Sequence, residues 1–254
     1  MDAGPAHAAH PDADRGAAYR GVHVLCDDDP RWGRDPVAQA RAACRAGVAV
    51  VQLRTKHAGD RQALEWAREI RVLTRRAGIQ FVVNDRFDLA LLAEADAVHL
   101  GQEDLPPSAI PGEARIRLAI GRSTHTPEQL DAARGEDVDY VAFGPVFGTR
   151  SKQSPFPARG LEALADAVRR ASPRPLVAIG GIEAAHLETL RAIGVAGVAV
   201  ISAIAAAEDP ERAAAAFVAG FRAGAGGNVG TELGAEAGAE ERTAPSAHPR
   251  GAGT

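Results

Sequence analysis

One pattern constrains this chain more than any other: short β-branched runs alternate with longer amphipathic ones, eight times between about residues 20 and 222. The strand-like runs are 21–26, 48–54, 79–84, 96–100, 116–120, 138–143, 175–180 and 196–201. Helical periodicity fills 36–46, 60–77, 86–94, 127–134, 160–171, 184–192 and 210–222, with only a short turn after 105. Pro210 and Asp60 read as helix starts, and Gly47, Gly78 and Gly194 as helix stops. Strict alternation implies parallel pairing, because parallel neighbours need a crossover connection. Eight such units in about 200 residues match the lower size limit of a (β/α)8 TIM barrel. An open doubly wound sheet is the rival, weakened because no G-x-G-x-x-G follows the first strand.

The ends of the chain are different. Residues 1–19 and 223–254 are rich in Ala, Gly, His, Asp and Glu without hydrophobic period. Neither can bury enough apolar surface to offset its ordering entropy, so two disordered tails are expected around one catalytic domain at 20–222. A net charge of -4 gives no electrostatic footprint for nucleic acid or an anionic membrane. The longest nearly apolar run, 194–207, is well short of the roughly 20 residues of a spanning helix, and no charged-then-apolar leader is present. A cytoplasmic protein with neither a nucleic-acid nor a membrane partner is therefore expected. Cys26 and Cys44 read as reduced thiols. Nothing in the sequence speaks to oligomeric state.

In a barrel of this kind the chemistry gathers just after the strands, at the C-terminal face. Gln52, Arg54 and Lys56 follow the second strand, and a period of two places them on one side of the extended chain. An amide, a guanidinium fork and an ammonium without a carboxylate among them suit a polyanion. Asp85 follows Asn84 after the third strand and Asp104 follows the fourth; each alone reads as a helix cap. On neighbouring rims beside the Gln52/Arg54/Lys56 cluster, the two carboxylates together suit Mg²⁺, which takes one or two carboxylates plus phosphate oxygens. After the fifth strand, Ser123 could hold a leaving group and His125 could serve as a hydrogen bonder or base. The long stretch 144–160 resembles a lid and carries Thr149, Ser151 and Lys152. Gly180-Gly181 and Ile201-Ser202 end the seventh and eighth strands, where barrels commonly seat a phosphate. Two anion sites on one mouth suggest the joining of two phosphorylated small molecules with loss of diphosphate.

Lysine usage points the same way. The chain has 29 basic residues, of which only Lys56 and Lys152 are lysine. Both fall within these blocks, where a compact ammonium is chemically distinct from a guanidinium.

The ordered series VQLRTK (51–56), VVND (82–85), VHLGQED (98–104), GRSTHT (121–126), GPVFGTRSK (144–152), AIGGI (178–182) and GVAVIS (197–202) resembles the thiamine phosphate synthase family. The resemblance covers the whole expected barrel and neither tail. It implies a transferase that condenses hydroxymethylpyrimidine diphosphate with hydroxyethylthiazole phosphate, giving thiamine phosphate and diphosphate. By position it implies Gln52, Arg54, Lys56, Asn84, Ser123 and Lys152 on the pyrimidine diphosphate, with Arg54, Lys56, Ser123 and Lys152 catalytic. It implies Asp85 and Asp104 on Mg²⁺, and Thr149, Ser151, Gly181, Ile201 and Ser202 on the thiazole phosphate. Three positions depart from the commonest pattern: Gly148 stands where Pro is frequent, Ser151 where Thr is, and Cys26 precedes Asp27 where Thr-Asp is usual. The family's sister group, the thiazole tautomerases, relies on a His after the fifth strand, where this chain has His125. A sugar-phosphate isomerase barrel and a non-catalytic regulator that binds thiamine precursors are the readings outside the enzyme pair.

Overall fold

A computed structural model of the chain describes residues 15–148 and 156–223. Eight strands, β1 (Gly21–Asp27), β2 (Val50–Arg54), β3 (Gln80–Asn84), β4 (Ala97–Leu100), β5 (Ala119–Thr124), β6 (Tyr140–Phe143), β7 (Leu176–Ile179) and β8 (Gly197–Val200), pair in sequence order. All pairings are parallel, and β8 returns to β1 to close the barrel. The helices are α1 (Pro36–Ala46), α2 (Asp60–Ala77), α3 (Phe87–Leu92), α4 (Gly112–Arg117), α5 (Pro127–Gly135), α6 (Gly160–Ala171), α7 (Leu187–Ile193), α8 (Ser202–Ala205) and α9 (Pro210–Arg222). Among the described residues no helix is long and apolar enough to cross a membrane.

Local chemistry explains the helix ends. Asp35 accepts the N–H of Ala38 at 2.7 Å and is followed by Pro36, while Gly47 takes the left-handed conformation that ends α1. Thr126, Asp209 and their following prolines repeat the start signal for α5 and α9. Two apolar layers follow from the pleat. One set of strand side chains meets the helices, including Val51, Leu53, Phe81, Val98, Ile120 and Val198. The alternate set fills the barrel with Leu25, Val50, Val82 and small residues such as Ala97, Ala119, Ala142 and Ala199.

Small residues leave room for two large ones. Tyr19 and Tyr140 stack inside the barrel with ring centroids 4.8 Å apart. Tyr19 ends a 3-10 helix, Arg15–Tyr19, that lies across the N-terminal face of the barrel. Arg15 donates to the carbonyls of Arg115 and Ile116 at 3.1 and 2.9 Å, and the Tyr19 hydroxyl to that of Asp96 at 3.3 Å. Ordered chain therefore begins before residue 20, contrary to the expected tail boundary. The reason is one aromatic ring, 3% exposed, that an otherwise core-poor segment can still bury. Residues 1–14 and 224–254 lie outside the described residues.

The fifth strand is a second correction. The run 116–120 reads as a strand, yet Gly112–Arg117 is helical and β5 starts at Ala119. Buried Arg115 accounts for the shift: it reaches Asp137 at 2.9 Å and Asp139 at 3.1 Å and donates to the Leu118 carbonyl at 2.8 Å, holding a helical turn against the barrel base. Ser123 consequently lies within the strand, facing the barrel, rather than in a loop after it.

Polar groups are tied in at this base. Asp96 accepts both Arg71 nitrogens at 2.8 and 2.9 Å and the Phe81 N–H, and Asp139 accepts the Ile120 N–H at 2.6 Å. His23, 1% exposed, donates from Nε2 to the Tyr19 carbonyl at 2.7 Å. Burial lowers its pKa from near 6.5 to about 4, although that hydrogen bond opposes the shift. Between those values the unfolded chain binds the proton and the folded one does not, so stability falls as pH is lowered from about 6.5 to about 4. The loss should be on the order of 3 kcal/mol. Urea denaturation across this range should show it, and His23→Gln should flatten the slope; parallel curves for the two proteins would contradict the assignment.

Candidate active site

At the C-terminal ends of the strands, Gln52, Arg54, Asn84, His99 and Ser123 line one narrow cleft, floored by Tyr140, Ala142 and Val177. Four of the residues expected to bind substrate thus converge. The fifth and sixth do not join them in the same way. Lys56 stands beyond the end of β2, so strand alternation no longer governs it; it turns to Asp85, with Nζ 2.5 Å from Oδ2. Lys152 lies outside the described residues, as do Thr149 and Ser151.

Arg54 is aimed by a residue that the sequence reading passed over. Asp27, fully buried, pairs with Arg54 across the β1–β2 register. Its carboxylate also accepts the Trp32 indole N–H at 2.8 Å and the Asp29 N–H at 3.0 Å, which leaves the Arg54 fork only one orientation. Asp28 organises the loop after β2 by accepting the N–H groups of Lys56, His57 and Ala58 at 2.8, 2.9 and 2.8 Å. Burial alone would raise the Asp28 carboxyl, but these bonds outweigh it and hold it below the ordinary range. The acidic run Asp27-Asp28-Asp29 closing the first strand was the available signal, and it becomes informative only once β1 is known to adjoin β2.

Asp85 and Asp104 do come together. Asp85, at a positive φ of 67°, caps no helix, since the residue at that helix start is Arg86. Its N–H donates to the His99 carbonyl at 2.8 Å, so the β4 pairing extends past the strand and carries the carboxylate toward the next rim. Burial raises the Asp85 carboxyl, a hydrogen bond with Asp104 raises it further, and Lys56 opposes both. Asp104 accepts the Gly101 N–H at 2.6 Å, while Arg122 donates to the Gly101 carbonyl at 2.5 Å, so the loop bearing Asp104 is held at two points. Two carboxylates sharing a hydrogen bond beside an ammonium could hold a hard cation, whose other ligands would come from substrate and water.

Gly181 and Ile201-Ser202 occupy neighbouring rims, after β7 and β8. Gly181 has a φ of 65°, and a side chain there would run into the Gly148 carbonyl and Phe147. The Phe147 N–H donates to the Gly180 carbonyl at 3.0 Å, so the segment after β6 lies directly on this turn. Gly148 has a φ of 79°, which proline cannot adopt; the departure from the frequent Pro is thus a different backbone path. His125 donates from Nδ1 to the Gly144 carbonyl at 2.6 Å and stacks on Phe156 at 4.4 Å. That arrangement ties the end of β5 to the start of the next loop.

Closed parallel topology with reactive groups gathered at the C-terminal mouth defines a (β/α)8-barrel enzyme. Residues 22–204 match the sequence model of the thiamine monophosphate synthase family, and the chain belongs to that family. It is 46% identical over 224 residues to a thiamine-phosphate synthase of Anaeromyxobacter dehalogenans, covering 85% of this chain and 96% of that one. A thiamine-phosphate synthase of Natronomonas pharaonis is 42% identical, over 76% of this chain and 91% of its own length. Among solved structures, thiamine phosphate pyrophosphorylase from Pyrococcus furiosus aligns with a TM-score of 0.73 at 33% identity, covering 82% of this chain and 98% of that one.

The Asp27–Arg54 pair yields a direct expectation. Asp27→Asn keeps the shape but strands a guanidinium that is 12% exposed. Stability should fall by roughly 3–5 kcal/mol, the usual cost of breaking a buried pair. Denaturant midpoints measure this; a loss under about 1 kcal/mol, typical of surface pairs, would mean that solvent rather than Asp27 holds Arg54.

Proposed function

We propose that the chain is a thiamine phosphate synthase: it condenses hydroxymethylpyrimidine diphosphate with hydroxyethylthiazole phosphate to give thiamine phosphate and diphosphate. The observation that carries this reading is the convergence of Gln52, Arg54, Asn84 and Ser123 in one cleft beside the Lys56–Asp85–Asp104 cluster. Family membership alone leaves the tautomerase open; a cleft furnished for a diphosphate has no purpose in a tautomerase.

Each residue has a task that its surroundings support. Gln52 is 3% exposed and its amide oxygen has no hydrogen-bond partner among the described residues, so it can accept from the amino group of a pyrimidine. Arg54, fixed by Asp27, offers its remaining N–H groups to phosphate oxygens. Asp85 and Asp104 would hold Mg²⁺, which supplies neutralisation of the departing diphosphate. The bond between the pyrimidine methylene carbon and the diphosphate oxygen breaks first, its electron pair leaving with the oxygen. The thiazole nitrogen lone pair then forms the new C–N bond to the resulting cation. Such a path calls for leaving-group stabilisation and alignment rather than a strong base. Gly181, Ile201 and Ser202 would receive the thiazole phosphate, joined by Thr149 and Ser151; Lys152 would join the diphosphate side. The reaction belongs to the cytoplasm and takes small phosphorylated molecules, with neither nucleic acid nor membrane as partner, in keeping with the net charge of -4.

Incubation of the purified chain with both phosphorylated substrates and Mg²⁺, followed by chromatography, should show equal amounts of thiamine phosphate and diphosphate. Conversion of the thiazole without the pyrimidine would instead establish the tautomerase. Chelation should stop turnover and added Mg²⁺ restore it. Asp85→Ala and Asp104→Ala should each abolish turnover in folded protein, and Mg²⁺-dependent activity retained in both would remove them from the metal. Lys56→Arg should lose most activity, because a planar fork cannot replace a compact ammonium at Asp85.

A further inference from the structure

The cleft continues downward into a chain of hydrogen bonds that the proposed reaction leaves unexplained. His99, on β4, is 7% exposed and stands between a side chain of the adjacent β5 and one of β6, the strand beyond it. Its Nδ1 is 3.0 Å from the Tyr140 hydroxyl and its Nε2 is 2.9 Å from Ser123 Oγ. Room for this contact comes from Gly121, where any side chain would strike the Tyr140 ring and His99 Nδ1. Ser123 is held from its backbone as well, since the Gln102 side-chain amide donates to its carbonyl at 2.5 Å.

Proton positions along this chain follow from counting donors and acceptors. Tyr140 is 1% exposed, and burial pushes its phenol well above the ordinary range, so it keeps its proton. Among the described residues the hydroxyl meets one hydrogen-bonding atom, His99 Nδ1. A buried O–H without an acceptor is strongly disfavoured, so Tyr140 donates and Nδ1 accepts. In the neutral imidazole the ring proton is then on Nε2, which donates to Ser123 Oγ. The Ser123 hydrogen must point elsewhere, and the open direction is the cleft lined by Gln52, Arg54 and Asn84. With the reverse polarity, Ser123 would donate to Nε2, Nδ1–H would face the phenol oxygen, and the Tyr140 hydrogen would be stranded.

We propose that Tyr140 and His99 form a polarised relay that fixes Ser123 as a hydrogen-bond donor into the cleft, toward the oxygen on which charge develops as the diphosphate leaves. Both are positioning residues, acting only through the serine hydroxyl; no proton is transferred along the relay. The inference deepens the synthase reading and rests on it for the identity of the acceptor, whereas the relay's polarity is a property of the free protein. Donors fixed before reaction need no reorganisation when charge appears, which is where such groups gain most of their effect.

Two measurements test it separately. In ¹⁵N-histidine-labelled protein without substrate, the His99 signals, assigned by their loss in His99→Gln, should show a protonated Nε2 and a bare Nδ1. A protonated Nδ1 overturns the relay whatever the enzyme catalyses. In turnover, Tyr140→Phe should lower kcat by about 5-fold, the worth of one ordinary hydrogen bond, with KM little changed. In a Ser123→Ala background the same substitution should cost nothing further, because its effect runs through the serine. Equal losses in both backgrounds would overturn the positioning role and make Tyr140 a packing residue alone. His99→Gln, which keeps an N–H donor, should retain more kcat than His99→Leu; equal rates would also count against the relay. Failure of the synthase assay with an intact Nε2–H signal would remove the proposed reaction and leave the relay standing.

Discussion

Closure of the sheet is the constraint on which everything else here depends. β8 must lie against β1, and at that seam Gly197 faces Gly21 so closely that a side chain on Gly197 would meet the Gly21 backbone. Only glycine admits such an approach without forcing the strands apart. Once the ring is closed, eight strand ends face a single mouth, and residues far apart in sequence become neighbours by register. Asp27 meets Arg54, and Asn84 meets His99, because their strands are adjacent. No local propensity in those segments could have produced either contact.

Carboxylates mark the two ends of the barrel and do opposite work. At the base, Asp96 and Asp139 sit just before β4 and β6, satisfy strand N–H groups and pair with Arg71 and Arg115. Their charges are neutralised within the protein, which adds rigidity. At the mouth, Asp27 is also committed, holding Arg54, and Asp28 is spent on three backbone N–H groups. Asp85 and Asp104 are the exception: they share a hydrogen bond with each other, and among the described residues Lys56 is the cation paired with them, through Asp85. That imbalance separates the proposed metal ligands from the structural acids around them, and residue type alone does not.

Much of this was legible in sequence, for identifiable reasons. Eight strands were readable because period two and period 3.6 alternate cleanly, and the helix ends because Pro, Asp and Gly stand at their caps. Gln52 and Arg54 were readable together because they share one strand. The fifth strand was misplaced because Ile116-Arg117-Leu118-Ala119-Ile120 alternates convincingly, while the ion pairs that make Arg115 helical come from residues some twenty positions away. Asp27, His99 and Tyr140 were missed for a related reason: each acts on a residue of another strand. Tyr19 was assigned to a tail because one aromatic among Ala, Gly and Asp carries no period. The lysine count fared differently again. Lys56 stands against Asp85 rather than beside Gln52 and Arg54 as period two implies, and Lys152 lies outside the described residues.

The balance of charge at the mouth explains why the proposed reaction has the form it does. A diphosphate ester brings several negative charges to a rim that already carries Asp85 and Asp104, with Arg54 and Lys56 each partly neutralised by an aspartate. The described part of such a rim offers little net attraction to its substrate, and the Mg²⁺ proposed for Asp85 and Asp104 would offset that deficit. Under that proposal the same charge would both admit the diphosphate and stabilise its departure. What remains for the protein is direction: the aspartate behind Arg54 and the imidazole behind Ser123 each turn a flexible polar side chain into a donor with one orientation. Orientation settled by folding is not paid for again at each turnover, and a barrel whose side chains lock across adjacent strands is well suited to provide it.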